Sequence, residues 1–133
     1  MRRSRWISIA AIIVGLGLVA FPSAAQERDV DGTRMQARHV EVGSVHSDSL
    51  SPPQDQADWR MVKFEEGRLL HITLRVESDG RTAEVTLTGA TGDELARETA
   101  GQEAATIEEE LGAGIYYVAV ESSEALEYEL TIE

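Results

Sequence analysis

Cysteine is absent from the sequence. That excludes disulfide bridges and a lipoprotein attachment site, so stability has to come from burial and hydrogen-bonded ladders. Histidine is scarce. His39, His46 and His71 form neither an H-x-H nor an H-E-x-x-H spacing, which excludes the zinc-protease motif. Ser44, Ser47, Ser49 and Ser51 lie near His46, but no Gly-x-Ser-x-Gly elbow occurs. Aromatic residues are few, and beyond residue 25 only Trp59, Phe64, Tyr116, Tyr117 and Tyr128 remain. Basic residues are also few, and Lys63 is the single lysine.

What is present begins with three arginines, Arg2, Arg3 and Arg5, followed by an uncharged apolar run from Ile7 to Phe21. Ser23-Ala24-Ala25 then supplies small residues for cleavage. Basic, apolar and small-residue regions in that order are the layout of a secretory signal. The run is shorter than the roughly 20 residues of a membrane-spanning helix. Residues 1–25 are therefore expected to form a cleaved signal helix, with retention as an anchor the alternative. The product would begin at Gln26 and reside in the periplasm or outside the cell.

All 24 acidic residues lie beyond residue 25, against nine remaining Arg and Lys, which leaves a net charge of −15. A field of that sign repels nucleic acid and anionic membranes. Neither is an expected partner.

Residues 26–38 are polar and poor in apolar side chains, and read as a flexible leader. From residue 39 onward the pattern is that of short strands. Val40, Val42, Val45 and Leu50 suggest one strand or two, closed by Ser51-Pro52-Pro53. Asp58 to Phe64 follows, with Trp59 and Met61 on one face and Arg60, Val62 and Phe64 on the other. Leu70, Ile72, Leu74 and Val76 alternate with Leu69, His71, Thr73 and Arg75, the period of a half-buried strand. Asp79-Gly80 reads as a hairpin turn, then Val85 and Leu87 face in. Glu94 to Thr99 contains helix formers but is too short to nucleate a helix, and is assigned as a strand. Ile107 and Leu111 mark the next strand. Gly114 to Val120 and Tyr128 to Ile132 alternate most cleanly, and the short link Glu121–Ala125 suggests that they form a hairpin. About eight short strands separated by Gly-containing turns specify an all-β, jelly-roll-like antiparallel sandwich. The expected core is Leu70, Ile72, Leu74, Val85, Leu87, Tyr116, Val118, Val120, Tyr128, Leu130 and Ile132.

The series resembles the bacterial pre-peptidase C-terminal (PPC) domain over about residues 42–133. The residues that carry it are Asp58-Trp59 through Phe64, Gly67 with Leu70-Ile72-Leu74, Val85-Leu87, Gly92-Asp93-Glu94-Leu95, Gly114 to Val120, and Tyr128 to Ile132. Two kinds of departure from the family stand out. Arg60 and Glu109 stand where aromatics are usual, and Ala83-Glu84 replaces a common Asp. The resemblance implies a β-sandwich that accompanies secreted proteins, often peptidases, as a non-catalytic accessory. Some members bind calcium or extracellular matrix.

The domain at residues 39–133 is thus expected to be a PPC-like module without enzymatic activity, binding a protein or glycan outside the cytoplasm. The alternative is a calcium- or carbohydrate-binding module. Asp48, Asp55 and Asp58, flanking one loop, are the candidate calcium ligands. No other cofactor is expected. Sugar binding would use exposed rings, for which Trp59 and Tyr117 are the candidates. Arg60 and Glu109 both fall at inward parity. They are expected at an open rim of the sandwich, or paired with an opposite charge.

Overall fold

The computed structural model describes residues 32–133. The expected signal peptide and the first part of the leader lie outside the described residues. A 3-10 turn, Arg34–Gln36, precedes nine strands: β1 (Arg38–His39), β2 (Ser44–Leu50), β3 (Ala57–Phe64), β4 (Arg68–Val76), β5 (Ala83–Gly89), β6 (Glu94–Ala100), β7 (Ala105–Leu111), β8 (Gly114–Glu121) and β9 (Leu126–Ile132). They form two sheets. Sheet A has the order β1-β3-β8-β5-β6, and sheet B the order β2-β9-β4-β7. All pairings are antiparallel except the two-residue parallel pair of β1 with β3. The leader, expected to be flexible to residue 38, is docked on sheet A from Arg34 onward.

Alternation places the expected residues between the sheets. Leu70, Ile72 and Leu74 of β4, Val85 and Leu87 of β5, Val118 and Val120 of β8, and Tyr128, Leu130 and Ile132 of β9 are all buried. Tyr116 is the exception and is half-buried. Its ring packs on Phe64 at 5.6 Å, and its hydroxyl donates to Gly112 C=O at 2.9 Å. A phenol tied to the β7–β8 turn cannot also sink into the centre.

The strands are as expected, but their connections are not. β8 and β9 do not form a hairpin, because β8 lies between β3 and β5 in sheet A while β9 lies between β2 and β4 in sheet B. The turn at Asp79-Gly80 likewise links sheet B to sheet A, with Gly80 at φ +74°. Only β5 and β6 are consecutive and paired. A short link between alternating strands serves equally well as a hairpin or as an arch between stacked sheets about 10 Å apart. Periodicity fixes which face is buried, not which sheet the strand joins.

Leu74 is fully buried and aligned between Ala105 of β7 and Leu130 of β9. Leu74→Ala should lower unfolding free energy in urea by about 2–5 kcal/mol. A loss below about 0.5 kcal/mol would contradict its place between the sheets.

Candidate functional site

β3 divides its polar and aromatic residues between its two faces. Asp58 and Arg60 point inward with Val62 and Phe64, whereas Trp59 and Met61 point to the outside of sheet A. Each set builds a distinct arrangement.

Inside, Arg60 is only 1% exposed. Its Nη1 donates to Tyr128 Oη at 2.9 Å and its Nη2 to Asp48 Oδ2 at 3.2 Å. The Tyr128 hydroxyl in turn donates to Asp58 Oδ2 at 2.5 Å. The chain of bonds crosses the sandwich, because Asp58 and Arg60 belong to sheet A while Tyr128 and Asp48 are register partners in sheet B. Burial, opposed by Arg60 and reinforced by Asp58, pushes the Tyr128 hydroxyl far above the ordinary tyrosine value. It therefore keeps its proton and remains a donor to Asp58 at any physiological pH. The guanidinium also lies 5.6 Å from the Tyr128 ring centroid.

This arrangement corrects the expectation that Arg60 sits at the rim with its head in water. Arg60 is instead enclosed and paired, the other arrangement open to an inward charge. Glu109 does not share its environment. It is half-buried on β7, at the edge of sheet B opposite to β2 and Asp48.

The three aspartates proposed from the sequence as calcium ligands occupy separate roles. Asp48 Oδ2 binds Arg60, and its Oδ1 accepts the Ser49 N–H at 2.8 Å. Asp58 accepts from Tyr128. Asp55 exchanges both amide bonds with Ser51 across the Pro52-Pro53 loop. Among the described residues, no three His, Asp or Glu side chains are arranged to hold a metal ion.

His46 also points inward from β2, where it is half-buried, with Nε2 2.8 Å from Ser44 Oγ. Desolvation first, then Arg60 and Arg38, hold its imidazole below the usual value of 6.5, with Asp48 opposing them. His71, on the outer face of sheet B, lies 3.7 Å from Glu108. A cleft of about 430 Å³ between residues 39–42 and 63–68 is lined by His39, Glu41, Lys63, Glu65 and Glu66, with the exposed Lys63 Nζ 4.0 Å from Glu65.

Outside, Trp59 and Tyr117 are diagonal neighbours on β3 and β8. Their centroids are 6.5 Å apart at 69°, edge to face. Arg34, carried by the 3-10 turn, lies 5.5 Å above the Tyr117 ring and donates to Ala90 C=O at 2.9 Å in the β5–β6 turn. Gly92, at φ +94°, leaves room for it, since a Cβ there would lie 3.2 Å from Arg34 Nη1. Beyond the rings comes a strip of small residues, Ala119, Thr86 and Thr88, all nearly buried. Arg97 flanks the strip, bonded to Glu84 at 2.6 Å and Glu94 at 2.8 Å. The sequence pointed to both rings but not to Arg34, because it lies in a stretch with no apolar periodicity.

Tyr128→Phe should cost about 1.5–3 kcal/mol in chemical denaturation, since it removes the hydroxyl joining Arg60 to Asp58. A neutral result would show that the relay contributes nothing. His46 makes stability depend on pH with a definite sign. The unfolded chain takes up its proton near 6.5, and the folded chain only at lower pH. Stability is complete above 6.5 and falls as pH drops through the interval between the two values. His46→Gln should flatten the melting-temperature profile between neutral pH and the onset of carboxylate titration. An unchanged slope would contradict the assignment.

No protein-family model and no curated protein sequence matches the chain. Among solved structures, the chain is similar to the crystal structure of the pre-peptidase C-terminal domain of collagenase from Bacillus anthracis. The TM-score is 0.65 at 18% identity, and the match covers 73% of this chain and 94% of that one. At that identity the likeness is one of architecture: the chain has the fold of a pre-peptidase C-terminal domain, as the strand series resembled.

Proposed function

We propose that the protein is an exported, non-catalytic β-sandwich module that binds a protein or glycan partner through the outer face of sheet A. The observation that carries this reading is the Trp59–Tyr117 pair. Only five aromatics lie beyond residue 25, and two of them are placed outside the core. Rings on a sheet surface give large contact area at low conformational cost, whether they meet a sugar ring or a polypeptide. Arg34 adds a cation and hydrogen-bond donors beside them. Export rests on the basic, apolar and small-residue order of residues 1–25 and on the secreted setting of PPC domains.

Calcium binding is the second reading, from Asp48, Asp55 and Asp58. Arg60 and the Ser49 N–H already engage Asp48. An ion there would have to displace the enclosed guanidinium from Asp48.

The test uses protein produced with its own N-terminus in a bacterial host and recovered from outside the cytoplasm. Intact mass should place its first residue at Gln26. Retention on a panel of insoluble polysaccharides and fibrous proteins should be lost in Trp59→Ala and Tyr117→Ala, with thermal melting preserved. Retention unaffected by both substitutions would exclude this face. Calcium should leave the melting temperature unchanged, whereas a saturable rise would support the aspartate site instead.

A further inference from the structure

The sandwich has four sheet edges, and three of them are protected. β1 is two residues long, β6 carries Glu94, Arg97 and Glu98, and β7 carries Glu108, Glu109 and Glu110. Short or charged edges resist pairing with another chain. β2, Ser-Val-His-Ser-Asp-Ser-Leu, is different. It has no proline, lysine or glutamate, its one acidic side chain, Asp48, is turned inward onto Arg60, and its register with β9 is unbroken over seven residue pairs. Among the described residues no strand lies beyond it.

The hydrogen bonds of β9 show which β2 amides point away from it. Glu133 and His71 exchange both amide bonds, at 2.8 and 2.9 Å, and Glu77 N–H donates to Glu127 C=O. The odd-numbered residues of β9 therefore face β4, and by alternation the even-numbered ones face β2. Across from them, Ser44, His46, Asp48 and Leu50 direct their amides to β9. Val45, Ser47 and Ser49 direct theirs to the open edge. Their side chains stand on the outer face of sheet B and are exposed.

We infer that the partner of this edge is a second copy of the chain, joined antiparallel about a two-fold axis at Ser47. In that register Ser47 faces Ser47, and Val45 faces Ser49 of the second copy. All three outward-facing residues thus meet outward-facing residues. His46 meets Asp48 of the second copy, and Asp48 meets its His46, in the non-hydrogen-bonded positions where side chains are closest. The seven-residue segment is self-complementary in backbone bonding, and no like charges face each other in this register, since each Asp48 stands opposite a histidine. A shift of one residue would set bonded positions against unbonded ones. The Ser49 N–H, held by Asp48 Oδ1 at 2.8 Å in the single chain, transfers to the Val45 carbonyl of the second copy. The interface is isologous, joins two four-stranded sheets B into one of eight strands, and leaves the Trp59–Tyr117 face open. It is independent of the binding function proposed above. The acidic surface opposes the association, so added salt strengthens it.

The absence of cysteine makes the test direct, because any disulfide formed by a single introduced cysteine is intermolecular. Facing Cα atoms in a bonded antiparallel pair are about 5.5 Å apart, within disulfide reach. Under mild oxidation Ser47→Cys should cross-link at least about tenfold faster than Val45→Cys or Ser49→Cys alone. An equimolar mixture of Val45→Cys and Ser49→Cys should cross-link to each other as fast as Ser47→Cys does to itself. Sedimentation velocity of the unsubstituted protein should show a dimer that grows with concentration and salt. Ser47→Pro, which removes a free amide, and Val45→Lys, which adds an edge charge without a backbone change, should both abolish that dimer. Equal cross-linking at the three positions, or an unsubstituted protein that stays monomeric up to its solubility limit, would overturn the inference.

Discussion

A cation enclosed between two sheets has to be answered from both of them. Arg60 leaves sheet A, and its two terminal nitrogens are met in sheet B by Tyr128 and Asp48. The tyrosine hydroxyl passes the interaction back to Asp58, two residues from where it began. Desolvating a lone guanidinium would cost several kcal/mol, and the geometry of the relay is what makes enclosure tolerable. It also sets the separation and stagger of the sheets on the β1–β2 flank, since each bond spans the gap. Elsewhere the sheets are held by non-directional apolar packing, which fixes a distance but fixes alignment only weakly. The polar crossing supplies direction where the aliphatic core cannot.

The same crossing explains the use of the outer faces. With Asp58 and Arg60 turned inward, strand alternation obliges Trp59 and Met61 to face out. The interior relay and the exterior ring pair are two consequences of one register on β3. Tyr117 follows from the alignment of β8 with β3, and Arg34 reaches it because β1 pairs in parallel beside β3 and brings the preceding turn over sheet A. The candidate surface is thus built on paired strands and clasped by the leader through the Ala90 carbonyl.

Much of this was legible in the residues and some was not. Alternation in Leu70-Ile72-Leu74 and Tyr128-Leu130-Ile132 identified the core because a period of two has only two possible faces. Parity also placed Arg60 inward. The same parity places Asp58 inward, beside a chain whose inward tyrosine is Tyr128, and that was the available signal for the relay. It was obscured by a reading of Asp58 as a loop ligand. Sheet membership was not legible at all. The link between β8 and β9 has hairpin length yet joins opposite sheets, and nothing in its composition distinguishes the two outcomes. Asp48 and Asp58 lie ten positions apart on strands of different sheets, so their meeting through Arg60 and Tyr128 is a product of topology.

That topology governs the order in which the molecule can be completed. β8 and β9 are synthesised after the other seven strands, yet neither is at an edge. β8 sits between β3 and β5, and β9 between β2 and β4. Until they emerge, β3 has only the two-residue β1 beside it and β2 has no strand neighbour at all. Both sheets are therefore closed from the middle by the last two of the nine strands. A partly synthesised chain can form only the separate β1–β3, β4–β7 and β5–β6 pairs, and the long-range pairings that join them into sheets come late. Strand order alone thus keeps either sheet from closing before β8 and β9 are in place.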